Sequence, residues 1–156
     1  MRQMISVAVF DPEDSITATR VIDALQEYQS VVIPCASDEA VLSVIGHQRV
    51  DVAVLNLSKP FVGAFRLLSE IQAKSAQTEV IFVAHFDDEL LRAWMEVIRR
   101  GAYEFLPKPL DREELKHHVV QAAEKHHPVE LRKRPPAESV KNLSISSTNW
   151  TSAAGA

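Results

Sequence analysis

Short apolar runs alternate with longer amphipathic stretches along most of this chain. The runs cover residues 5–10 (ISVAVF), 31–33, 52–55, 80–84 (VIFVA) and 103–106. They are rich in β-branched residues and show little polar alternation, the habit of strands buried on both faces of a parallel sheet. Between them, apolar residues recur at helical spacing. Ala18, Val21, Ile22, Leu25 and Tyr28 predict a helix over 14–28, and Ala40, Val41, Val44 and Ile45 one over 38–47. Phe65, Leu68 and Ile71 predict a helix over 61–73. Leu90, Leu91, Trp94, Val97 and Ile98 predict a fourth, opened by Asp87-Asp88-Glu89 and stopped by Gly101. Leu115, Val119 and Ala122 carry the last helix to about residue 125.

Local chemistry supports these boundaries. Ser37 suits an N-cap, with Asp38 and Glu39 in the first turn behind it. Asp111 and Glu114 form an N-cap and N3 pair. Asp11-Pro12, Pro34 and the PKP at 107–109 close strands. Five strands alternating with five helices imply an α/β fold, a parallel doubly wound sheet with right-handed crossovers and helices on both faces.

From residue 127 the periodicity stops. The remaining stretch has three prolines and many small polar residues, so residues 3–126 are expected to form the domain and 127–156 a flexible, disordered tail. The tail holds four basic residues (Arg132, Lys133, Arg134, Lys141) against two acids (Glu130, Glu138). With a whole-chain charge of −4, the domain carries about −6. That balance argues against nucleic acid and anionic membranes as partners. The basic triplet at 132–134 reads as a solubilising feature. No run approaches a membrane span, and the first residues lack a signal-peptide core, so a soluble cytoplasmic protein is expected. The single cysteine, Cys35, excludes an intrachain disulfide and reads as a small buried residue.

Chemistry in open parallel sheets collects beyond the carboxyl ends of the strands. Here those ends offer Asp11 (followed by Glu13 and Asp14), Asn56, Ala84 and Lys108. Carboxylates beside an ammonium suit a hard cation and a phosphoryl group. At these residues the chain resembles the response-regulator receiver family, the CheY-like phosphoacceptor domains of two-component signalling. The resemblance spans about residues 5–125. It rests on VDVAVLNLSKP, similar to the family's strand ending in the phosphoacceptor and a following proline, and on GAYEFLPKPL, similar to the segment holding its lysine. It implies a flavodoxin-like, CheY-like sheet of order 2-1-3-4-5 and a role in bacterial phosphorelay signalling rather than an enzyme activity.

Carried over position by position, the resemblance is incomplete. Lys108 matches the family lysine, Lys108-Pro109 the bond that is commonly cis, and Phe105 the aromatic switch position. Asp11 matches one member of the acidic pair, whose partner would have to be Glu13 or Asp14 because Pro12 follows. Asn56 stands where the resemblance implies the phosphorylated aspartate, and Ala84 where it implies a switch Ser or Thr. An amide oxygen is a poor nucleophile and adds no charge to a metal site. Asn56 otherwise reads as a cap bonding local backbone. Lys108 is expected to pair with Asp11, and Phe105 to be either core or a rotating switch.

The expectation is therefore a pseudo-receiver without a phosphorylation cycle, without a cofactor, and with at most weak Mg²⁺ at Asp11. It would signal by docking to another signalling protein or a second copy. The resemblance places that face on the fourth helix, fifth strand and fifth helix, where Trp94 or Met95, Arg99, Arg100, Tyr103 and His118 give a hot-spot composition. The alternative reading of Trp94 is half-buried packing. No output domain is expected after residue 127. A working phospho-receiver using Asp11, Glu13 or Asp14 as substitute acceptor with Mg²⁺ is the alternative function. An FMN enzyme of flavodoxin type is disfavoured, because DPEDS would repel a phosphate. The adjacent His117 and His118 point about 100° apart on a helix, His85 stands alone, and His126-His127 suit a helix C-terminus, so no transition-metal site is expected.

Overall fold

A computed structural model describes residues 4–126. Five strands, β1 (Ile5–Phe10), β2 (Ser30–Pro34), β3 (Val52–Asn56), β4 (Glu79–His85) and β5 (Glu104–Lys108), alternate with five helices. The helices are α1 (Thr17–Ala24), α2 (Asp38–His47), α3 (Val62–Lys74), α4 (Leu90–Arg99) and α5 (Arg112–Glu124). The strands form one parallel sheet in the order β2-β1-β3-β4-β5. The tail expected over 127–156 lies outside the described residues.

The period-2 geometry of β3 sends its apolar run to two cores. Val52 and Val54 join Val7, Val9, Ile81 and Val83 under α1 and α5. Ala53 and Leu55 join Ala8, Val80 and Phe82 under α2, α3 and α4. A strand with no polar position is therefore what a sheet covered on both sides requires. Caps hold the helices in place. Ser37 Oγ accepts from Ala40 N at 3.0 Å, Asp87 Oδ1 from Leu90 N at 2.9 Å, and Asp111 Oδ2 from Glu114 N at 2.9 Å. Gly101 ends α4 at φ +107, and a Cβ there would lie 2.5 Å from Gln72 Nε2, which donates to the Arg100 carbonyl.

Two elements differ from the sequence pattern. The helix expected over 14–28 is only Thr17–Ala24. Asp11 Oδ1 accepts from Glu13 N and Asp14 Oδ1 from Ile16 N, two local turns that compete with a helical start. In α4 the buried set is Leu90, Ala93 and Val97, while Leu91 is 45% exposed and Ile98 39%. Leu91 lies about 100° around the helix from Leu90, beyond the width of the buried stripe. Strands β2 to β5 also extend a residue or two past the apolar runs, because backbone pairing does not stop where hydrophobicity does.

This phase of α4 is testable by urea unfolding followed by circular dichroism. Leu90→Ala should lower stability by about 2–5 kcal/mol, the range for a buried leucine. Leu91→Ala, one position away, should change it by about 0.5 kcal/mol or less.

Candidate functional site

Parallel pairing brings the carboxyl ends of β1, β3, β4 and β5 to one edge of the sheet. The register sets Phe10 beside Leu55, Asn56 beside Val83, and His85 beside Lys108. Lys108 is the last residue of β5 and precedes a cis bond to Pro109; Lys59-Pro60 is also cis. Its side chain is buried and reaches across the crevice, donating from Nζ to Asp11 Oδ2 at 2.5 Å. The same oxygen accepts from Thr17 Oγ1 at 2.6 Å, while Asp14 Oδ2 lies 3.7 Å from the ammonium. Asp11 therefore has both oxygens engaged, by Lys108, Thr17 and the Glu13 amide. Sequence reading missed Thr17; the only signal was a hydroxyl six residues after Asp11 at a helix start.

Asn56 ends β3 between these groups and is 7% exposed. Among the described residues, neither Oδ1 nor Nδ2 has a hydrogen-bond partner. The expected bond to local backbone is absent; the neighbouring Leu57 N donates instead to the Val83 carbonyl. An unsatisfied buried polar group destabilises by about 1–3 kcal/mol. Asn56 lines a cleft of about 240 Å³ together with Phe10, Asp38, Gly63, Leu67 and Phe82. The Asp38 carboxyl is raised above its usual pKa, first by partial burial and then by Glu39 and Glu70. Lys59, on the rim, is paired with Asp87 and Glu89.

Ala84 is buried at the end of β4 and contributes only its backbone and methyl. A second cleft of about 280 Å³ above it is lined by Glu13, Lys59, Phe61, His85 and Asp87. Glu13 faces that cleft, whereas Asp14 sits on the Lys108 side, so the two acids do not converge beside Asn56. Asp51 lies at the opposite end of β3. It is buried, accepts from Ser6 N at 2.8 Å and is held by Arg49 at 2.9 Å, far from the crevice.

Phe105 is core at 3% exposure, and Trp94 packs on it at 5.1 Å between ring centroids, with Phe86 edge-on to the other side of Trp94. Trp94 is thus half-buried packing, and Met95, 64% exposed, is the most exposed of the large apolar residues on α4. Arg99 and Arg100 both bond Glu96, and Arg100 also lies over the Phe65 ring, turned toward α3. Tyr103 and His118 are partly buried, the latter edge-on to His117. His126 bonds Glu79 at the far end of the sheet, and His127 lies outside the described residues. Cys35 is partly buried, which pushes its thiol pKa up. Among the described residues, no group of three or more His, Cys, Asp or Glu could hold a metal ion, and no helix is long and apolar enough to cross a membrane.

Residues 8–120 match the family described as response regulator receiver domain. A response regulator from Thermotoga maritima superposes with a TM-score of 0.70 at 20% identity, covering 79% of this chain and 100% of that one. The signal receiver domain of an HD domain-containing protein from Pseudomonas fluorescens Pf-5 gives 0.70 at 21%, covering 82% and 93%. The chemotaxis response regulator CheY4 of Vibrio cholerae gives 0.61 at 21%, covering 77% and 99%. At these identities the structural likenesses show the shared fold.

The ion pair across the crevice gives a stability prediction. Lys108→Met strands a buried carboxylate and should lower unfolding free energy by about 3–5 kcal/mol. Adding Asp11→Asn to that variant should recover a large part of the loss in the same urea titration. Additive losses would show that the two side chains do not couple.

Proposed function

Because the chain belongs to the response regulator receiver domain family, we propose that it is a receiver whose acceptor position is held by Asn56 and which signals by docking, without a phosphoryl cycle. The observation that carries this reading is the amide of Asn56 at the end of the central strand, beside the Lys108–Asp11 pair. Phosphoryl transfer to a receiver needs a carboxylate oxygen as nucleophile, and an amide oxygen is a poor one. Ala84 adds no hydroxyl to bond a phosphoryl group.

The donor set also does not fit Mg²⁺, the cation that receiver chemistry calls for. Hard cations want several anionic oxygens, and Asn56 supplies none. Asp11 would have to give up an ammonium, a hydroxyl and a backbone amide to turn toward one. Asp51 keeps its carboxylate at the wrong end of the strand.

For the docking face, α4 offers Leu91, Met95 and Ile98 exposed on one side, with Arg99 beside them. A large apolar anchor flanked by arginine is the composition of a binding hot spot. A second signalling protein or a second copy of this chain fits that surface, and the module works in the cytoplasm where such partners reside. A second reading, phosphorylation on a substitute acid, draws on the exposed Glu13 facing the crevice above Ala84.

Incubating the full chain with acetyl phosphate and Mg²⁺, followed by intact-mass measurement, separates the two. The docking reading expects no phosphoryl adduct. A stoichiometric adduct mapped to Asp11, Glu13 or Asp14 would overturn it.

A further inference from the structure

Neither atom of the Asn56 side-chain amide has a protein partner among the described residues. That narrows what can satisfy it. A cation would bond Oδ1 and be repelled by the Nδ2 protons. An anion such as phosphate would accept from Nδ2 and be repelled by Oδ1. A group with adjacent donor and acceptor, such as a carboxamide, a lactam or a nucleobase edge, satisfies both through two parallel hydrogen bonds.

The surroundings agree with a neutral ligand. Phe10, Leu67 and Phe82 supply apolar walls to the cleft beside Asn56. The carboxylate on the cleft, Asp38, disfavours an anion. The two nearest ammonium groups are already committed, Lys108 to Asp11 and Lys59 to Asp87 and Glu89. The cleft volume, about 240 Å³, suits a compact planar molecule. Gly63 also lines it, with open space where a Cβ would stand.

We propose that this cleft binds a small neutral ligand that presents a carboxamide or lactam edge to Asn56 and a flat apolar body to Phe10, Leu67 and Phe82. Protein atoms close over the amide in the ligand-free arrangement, so Asn56 turns toward the cleft on binding. The turn breaks no hydrogen bond, because the side chain makes none. The proposal deepens the reading of Asn56 above by supplying a non-covalent input at the same position.

The test uses the ¹⁵N-labelled full chain and benzamide as probe, with benzoate and inorganic phosphate as anionic comparisons. Benzamide should shift the Asn56 side-chain NH₂ resonances saturably in the millimolar range, and neither anion should. Asn56→Leu, which keeps the shape and removes the amide, should weaken benzamide binding by about tenfold or more, read from backbone amides around the cleft. Gly63→Leu should weaken it comparably by filling the space while leaving Asn56 in place; both variants are checked for fold by circular dichroism. Absence of saturable benzamide shifts, equal shifts with benzoate, or binding indifferent to both substitutions would overturn the proposal. A phosphoryl adduct in the acetyl phosphate experiment overturns the docking reading instead, and the benzamide titration on unmodified protein still decides this one.

Discussion

The crevice is organised by one ion pair, Lys108 to Asp11, which reaches from the edge strand β5 past the ends of β4 and β3 to β1. Both side chains are almost wholly buried, so neither can be without the other. The ammonium is thereby spent on the first strand. A carboxylate at position 56 would compete for it, and an amide does not. The Asn at the end of β3 and the tight Asp11–Lys108 contact are in this sense one arrangement, with a single positive charge matched to a single buried negative one.

The position of that pair follows from the fold beneath it. Parallel strands put all carboxyl ends on one edge, and β3 lies between β1 and β4 with apolar residues facing both helical layers. The end of such a strand cannot drift, because a shift of one residue would exchange its two faces. Val52–Leu55 thus fix where residue 56 emerges, and Asp11 and Lys108 are fixed in the same way by the registers of β1 and β5. Rigid placement by the sheet allows the crevice to hold a buried charge pair while its rim, at Glu13, Lys59 and Asp87, stays open to solvent.

Much of this was legible in the sequence because it depends on periodicity and strand-end residues. The apolar runs gave the five strands, and Ser37 and Asp111 announced helix starts that the hydrogen bonds confirm. What was not legible depends on three-dimensional competition. Asp11 and Asp14 each form a turn with the backbone two residues on, which delays α1 to Thr17, and no helical spacing announces that. Leu91 and Ile98 share a periodic pattern with Leu90, yet the buried stripe of α4 is completed by the small Ala93, which a hydrophobicity count undervalues. Trp94 could have been anchor or packing on sequence alone; the Phe105 ring beneath it decided the matter. Asn56 as a backbone cap also failed; the neighbouring amide donates instead to β4.

The two ends of β3 also show that the orphaned amide is not demanded by folding. At the amino end the chain buries a carboxylate, Asp51, and satisfies it with the Ser6 amide and Arg49. The fold can therefore supply donors to a buried polar group at this strand when it needs to. At the carboxyl end it supplies none to Asn56, although a leucine of similar shape would fill the same space beside Phe10 and Phe82 without unmet hydrogen bonds. Replacing an unpaired polar group by an apolar one of like shape is close to neutral or stabilising. Stability alone thus favours an apolar residue here. The proposed ligand would supply, from the cleft, the partners that folding does not.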